Sequence, residues 1–180
     1  MASALPIPIE FRIPDDWRPA APDEAGAPGA AFVALIPDGG GPAAFTANVT
    51  IDGEVPPASA TLTTLADRSV QVMRELATGV TVLDRADVGS ATAPALTQTV
   101  RLTTPVDGAD RELVQAQVYL SMQDTHDPAK RAVIRLMLTA TAAQARAVMP
   151  DFQWFVSTVR PESPPPDPYG LLRSAPSRLR

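Results

Sequence analysis

The sequence predicts an α+β fold built on an antiparallel sheet, and three observations predict it. Between Leu96 and Ala140, three long segments alternate apolar and polar residues and are separated by short turns, the signature of antiparallel strands with two distinct faces. Two other stretches, Ala60 to Ala77 and Ala142 to about Val159, carry apolar residues at helical spacing. Their order along the chain gives β-β-β-α-β-β-β-β-α, an antiparallel sheet of six to seven strands with two main helices.

The first strand is expected at Ile7 to Ile13, where Ile7, Ile9, Phe11 and Ile13 alternate. Pro8 lacks an amide donor, so this reads as an edge strand. Pro14-Asp15-Asp16 makes a turn, and Trp17 just past it should anchor the loop to the core. Arg18 to Gly29 is rich in Pro, Ala, Gly and acid and reads as a flexible loop. Phe32 to Ile36 is a short apolar strand. Pro37 to Pro42 is a turn-rich link. Phe45 to Ile51 follows as a strand, with Ala47, Val49 and Ile51 on one face.

The first helix has Ser59 and Thr61 as candidate N-caps. Its expected stripe is Leu62, Leu65, Ser69, Val70, Met73, Leu76 and Ala77, and Gly79 is placed to close it in a left-handed conformation. Val80 to Val88 is the next strand, with Val80, Val82 and Leu83 assigned to the interior. In the following strand Leu96, Gln98, Val100 and Leu102 share a face. Asp107-Gly108 supplies a hairpin turn that needs positive φ. In Glu112 to Met122, one face is Val114, Ala116, Val118, Leu120 and Met122; the other is Leu113, Gln115, Gln117 and Tyr119, half polar. Arg131 to Ala140 sends Ile134, Leu136 and Leu138 inward and Val133, Arg135 and Met137 outward. Thr141 and Gln144 have capping-box spacing. Pro150 costs a helix interior about 3 kcal/mol, so a kink or two short helices, with Asp151 recapping the second, is expected.

Composition narrows the function. The chain has 180 residues and 45% hydrophobic content, enough for one domain with a real core. The domain is expected over 1–160, with a Pro-rich flexible tail over 161–180. From Arg160 onward four Arg face Glu162 and Asp167, a net +2, which leaves −7 on the body against −5 overall. An acidic body argues against a nucleic-acid surface, which needs clustered cations. The chain contains no cysteine, which excludes disulfides, thiolate catalysis and cysteine-held zinc. No apolar run approaches the roughly 18 residues needed to span a bilayer. The opening MASALPIPIEFRIP reads as neither a secretory signal nor an anchor, so a cytoplasmic protein is expected.

Candidate chemistry is sparse. The single histidine, His126, lies between Asp124 and Asp127; this could be an acid–base group or a hard-cation site, but Asp and Pro128 at a strand connection also build an ordinary polar turn. Gly39-Gly40-Gly41 lacks the Lys-Ser/Thr and helix of a phosphate loop. No G-x-S-x-G elbow is present. The expectation is therefore no catalytic residue, no cofactor and no metal. The outward residues Leu113, Gln115, Gln117, Tyr119, Val133, Arg135 and Met137 form a mixed surface suited to a protein partner, since methionine adapts to varied apolar contacts. Tyr169, Leu171 and Leu172, after the Pro-rich stretch 164–168, are expected to form a short docking motif.

Several segments resemble one known fold. Phe11-x-Ile13-Pro14-x-x-Trp17, Phe32-Val33-Ala34, Ala47-Asn48-Val49-Thr50, the helix Leu62 to Leu76, the strand Val114 to Leu120 and the closing Phe152-x-x-Phe155-Val156-Ser157-Thr158-Val159 are together similar to the PsbP-like fold. Within it they look most like the actinobacterial LpqN/LpqT lipoprotein family and the related DcrB and Eag chaperone families. The resemblance spans Ile7 to Val159. It implies an antiparallel sheet between helices, and a non-catalytic protein that binds other proteins, such as an accessory or chaperone-like factor for a secretion or envelope system. The sequence departs from the lipoproteins in that its opening is expected to carry no signal and it has no cysteine to lipidate. Two other functions stay open from the residues: a small hydrophobic ligand or lipid binder with a pocket between sheet and helix, and an enzyme using Asp124, His126 and Asp127. A homodimer is compatible with everything above.

Overall fold

The computed structural model describes residues 4–38 and 44–163. Tyr169, Leu171 and Leu172, and the glycines at 39–41, lie outside the described residues. The elements in chain order are β1 (Ile9–Glu10), β2 (Arg18–Ala20), β3 (Phe32–Ile36), β4 (Ala47–Glu54), α1 (Leu62–Leu76), β5 (Gly79–Gly89), β6 (Pro94–Val106), β7 (Ala109–Gln123), β8 (Arg131–Ala140), α2 (Ala142–Thr158) and β9 (Arg160–Pro161). Seven strands form one sheet in the order β2-β3-β4-β8-β7-β6-β5, every neighbour antiparallel. The predicted α+β class is the one observed.

Alternation sets the two faces. Ala116, Val118 and Met122 of β7 join Val49, Ile51, Ile134, Leu136 and Leu138 in a core capped by Ala145, Phe152 and Phe155 of α2. Tyr119 and Val133, one residue out of phase, pack with Leu96 against Leu65 and Ala66 of α1. Successive strand residues point to opposite faces, so α1 and α2 sit on opposite sides of the sheet. Phe155 is the aromatic centre of the larger core, edge-on to Phe11 at 5.9 Å and tilted against Trp17 at 5.5 Å. Trp17 anchors its loop as expected, buried at 3% exposure.

Four expectations about strands and loops are corrected. Only Ile9–Glu10 of the Ile7–Ile13 segment is strand, and it pairs with β9 in a separate two-stranded sheet, not with the main one. Its alternation is still used, because Ile7, Ile9, Phe11 and Ile13 pack on the large core. Arg18–Ala20, read as loop, is the edge strand β2 paired to β3; Pro19 hid it, yet proline is tolerated at an edge. Pro161, read as the start of the tail, is in β9, and the Glu162 amide donates to the Pro8 carbonyl at 3.0 Å. Leu83 is 49% exposed, because the β5–β6 register slips between Val82 and Asp84 and leaves it on a bulge.

The helix ends follow side-chain chemistry. Thr61 caps α1 by accepting from the Thr64 amide, and Thr141 with Gln144 makes the full capping box of α2. α1 ends at Ala77 in extended backbone, and Gly79 opens β5 instead of closing the helix. α2 runs as one helix through Pro150, against the expected break. Pro150 and Arg146 are both exposed, so the carbonyl that proline leaves without a donor can be satisfied by water. The buried Phe152 and Phe155 hold the second half in line. The Asp107-Gly108 hairpin is as predicted, with φ of 51° and 79°, the two positive values of a type I′ turn.

Candidate functional site

The outward face of β7 and β8 is divided by α1. Leu113, Gln117, Tyr119 and Val133 are each 8% exposed or less, so these four residues, expected on an open contact surface, lie under cover. The correction has a physical cause. α1 offers a narrow buried stripe of Leu65, Ala66 and Val70, and a mixed strand face with Tyr119 and Val133 is sufficient to seat it.

The polar groups trapped there satisfy one another. Gln98 of β6 and Gln117 of β7 are directly opposed. Gln98 Nε2 donates to Gln117 Oε1 at 2.6 Å and to the Ala66 carbonyl of α1 at 3.3 Å. Tyr119 Oη also donates to Gln117 Oε1, at 2.7 Å. Gln117 Nε2 in turn donates to Gln115 Oε1 and to Ser69 Oγ of α1. On the other side, Arg85 Nε and Nη2 donate to Gln98 Oε1 at 3.0 and 2.8 Å, and its Nη1 to Asp67 of α1 at 2.6 Å. Buried polar groups are tolerated when paired in this way. Burial raises the Tyr119 pKa above the ordinary phenol value, against the opposing effects of Ser69 and Arg135. The ring therefore stays a neutral donor at pH 7.

Gln115, Arg135 and Met137 escape the helix. They line a groove of about 570 Å³ between α1 and strands β4 and β8, together with Asp52, Glu54, Arg68, Ser69, Val72 and Met73. Arg135 donates Nε to Asp52 Oδ1 at 2.9 Å and Nη2 to Oδ2 at 2.8 Å, a bidentate pair of fixed geometry. Burial alone would lower the Arg135 pKa; the Asp52 hydrogen bonds and charge outweigh it and hold the guanidinium above its usual value. Arg68 of α1 pairs with Glu54 across the groove. The floor is flexible and apolar through Met73 and Met137, and the rim is charged but internally neutralised.

A second cavity, about 330 Å³, lies on the opposite face between α2 and strands β5–β7. Ala116, Val118, Leu120, Met149, Phe152 and Val156 line it, with Thr97, Thr99 and Gln153 at its polar margin. Ala116, Val118 and Leu120 were expected together on one strand face, and nothing in the pattern marked a cavity there.

The residues around His126 serve their own loop. The Asp124 carboxylate accepts from the His126 amide at 2.8 Å, and Asp127 Oδ1 accepts from the Ala129 amide at 3.1 Å. His126 Nδ1 stands 3.4 Å from Asp124 Oδ1, with its side chain 41% exposed. The His126 backbone hydrogen bond is the main reason the Asp124 pKa lies below the usual carboxylate value. Among the described residues, no group of three or more His, Cys, Asp and Glu side chains is arranged to hold a metal. No helix of the described residues is long and apolar enough to cross a membrane.

No protein-family profile matches the sequence, and no curated protein does. Solved structures do. LpqN, involved in cell envelope biogenesis of Mycobacterium tuberculosis, is 13% identical with a TM-score of 0.56, covering 84% of this chain and 82% of its own. Cyanobacterial PsbP (CyanoP) from Synechocystis is 16% identical with a TM-score of 0.54, covering 86% of each chain. PA94 from Pseudomonas aeruginosa, a protein of unknown function described as a candidate regulator, is 20% identical with a TM-score of 0.54, covering 73% of this chain and 83% of its own. At these identities the likeness shows the fold, and that fold is PsbP-like.

Proposed function

We propose that this chain is a non-catalytic binding module that holds a segment of a partner protein in the groove beside α1, in an accessory role; the structurally similar LpqN is involved in cell envelope biogenesis. One observation carries the reading. The groove sets two methionines and the 49% exposed Val72 between ion pairs that are already neutralised, Asp52–Arg135 and Glu54–Arg68. Such a surface receives an apolar side chain without stripping an unpaired charge of water. Gln115 and Met137 at its floor supply a polar and an adaptable contact to the segment. The occupant is an extended segment carrying one or two apolar side chains flanked by polar residues.

The test is site-specific photo-crosslinking in the native host. A benzophenone amino acid at position 137 should yield a defined covalent adduct, identified by mass spectrometry. The same group at Trp154, exposed on the far face, should not. Equal labelling from both positions, or none from 137, would remove this reading.

The cavity under α2 favours a second function, binding of a small apolar ligand. Its volume reaches the lower end of the range of ligand pockets, about 300 to 1,000 Å³, and most of its lining is apolar. Native mass spectrometry of freshly purified protein should then show a bound mass that Val118→Trp removes. A single unliganded mass in both proteins would exclude it.

A further inference from the structure

β5 closes one side of the sheet and, among the described residues, pairs only with β6. Most of its eleven residues are exposed. An open strand edge presents unpaired amide and carbonyl groups and is a template for another strand. The bulge at Leu83 ends the regular ladder, so the usable stretch is Asp84 to Gly89. Within it Arg85 and Asp87 lie on the α1 side, opposite Gln98 and Leu96, while Asp84, Ala86 and Val88 lie on the α2 side, opposite Thr99, Thr97 and Ala95.

This stretch is its own complement. Place a second copy antiparallel along it with Ala86 facing Ala86, about a twofold axis perpendicular to the sheet. Arg85 of each chain then stands opposite Asp87 of the other, twice, on the same face. Registers centred one residue away set Arg85 against Arg85 or Asp87 against Asp87. Opposite charges directly across an antiparallel pair stabilise it and like charges oppose it, so charge selects the Ala86 register. The cation is ready in place. Asp67 and Gln98 take three of the five guanidinium N–H groups of Arg85, which leaves two. Asp87, by contrast, has no ion pair among the described residues. α2 packs mainly over β7 and β8, and α1 packs over β6 and β5 on the other face of the sheet.

We propose that β5 pairs antiparallel with β5 of a second copy, centred on Ala86, so that two seven-stranded sheets join into one across a twofold axis. The contact is isologous and formed by one short strand edge, and the dissociation constant expected of such a weak association is between about 1 µM and 1 mM.

The chain has no cysteine, which makes a clean test available. Directly opposed antiparallel residues have Cα atoms about 4.5–5.5 Å apart, inside the roughly 4.4–6.8 Å a disulfide spans. Ala86→Cys should form a disulfide-linked dimer under mild oxidation at least about tenfold faster than Ala147→Cys, whose residue is exposed on α2. Sedimentation of the unsubstituted protein should show a dimer forming below about 1 mM. Asp87→Lys, with circular dichroism unchanged, should raise the dissociation constant at least about tenfold. Monomeric sedimentation throughout, cross-linking at 86 no faster than at 147, or an unchanged constant for Asp87→Lys would each overturn the proposal.

Discussion

Gln98 and Gln117 face each other across β6 and β7 and share a 2.6 Å hydrogen bond beneath α1. That bond ties the helix to the sheet, because Gln98 also donates to the Ala66 carbonyl and Gln117 to Ser69. The helix is therefore seated by polar pairing as well as by its three buried residues.

Removing one glutamine should cost more than removing both would suggest. Gln117→Ala leaves Gln98 Nε2 and Tyr119 Oη without their shared acceptor, a loss of about 1–3 kcal/mol. In a double-mutant cycle with Gln98→Ala, the coupling should be about 1 kcal/mol or more. Urea unfolding of the four proteins measures it. Strictly additive losses would show that the two amides act independently.

The Asp52–Arg135 pair should behave as a partly buried ion pair. Asp52→Asn leaves the guanidinium with a weaker acceptor, and the expected loss is about 1.5–3 kcal/mol. Combining it with Arg135→Met, which removes the stranded charge, should return part of that loss. Denaturant midpoints of the single and double variants decide the point.

Pro150→Ala should stabilise the protein. The substitution restores an amide donor for the Arg146 carbonyl on an exposed helix face. The helix gain of about 3 kcal/mol is reduced by roughly 1 kcal/mol of unfolded-chain entropy. A melting temperature that falls would mean that Pro150 fits α2 better than alanine does.

Asp124 gives a pH signature. Its folded pKa lies below the ordinary value. Its contribution is therefore complete above the unfolded carboxyl pKa, about 3.9, and is lost as pH falls toward the lower folded value. Asp124→Asn should melt earlier than the unsubstituted protein at pH 7, and the gap should narrow below about pH 4. A gap that is constant with pH would show that the charge of Asp124 contributes nothing.

Periodicity in the sequence carries most of the architecture. The strict alternation of β6, β7 and β8, the Asp107-Gly108 turn and the Thr141–Gln144 capping box each carry a local physical cause that survives in the fold. The errors fall where a residue's local preference was outvoted. Pro19 argued for a loop and is tolerated at a sheet edge; Pro150 argued for a break and is tolerated because its side of α2 meets water. The candidate site was half legible for a different reason. Alternation shows that Leu113, Gln115, Gln117, Tyr119, Val133, Arg135 and Met137 share a face, but not which part of it a helix covers. That depends on where α1 crosses the sheet. The buried Gln98 in an otherwise apolar row was the one sequence signal that polar pairing awaited a partner there.

The open half of that face is the proposed binding surface, and one titration tests it. The partner segment captured from position 137 should bind the purified protein, and Met137→Glu should weaken that binding at least about tenfold, or 1.4 kcal/mol, with the melting temperature nearly unchanged. Affinity for Met137→Glu equal to that of the unsubstituted protein would place the binding site elsewhere and contradict the groove beside α1 as the functional surface.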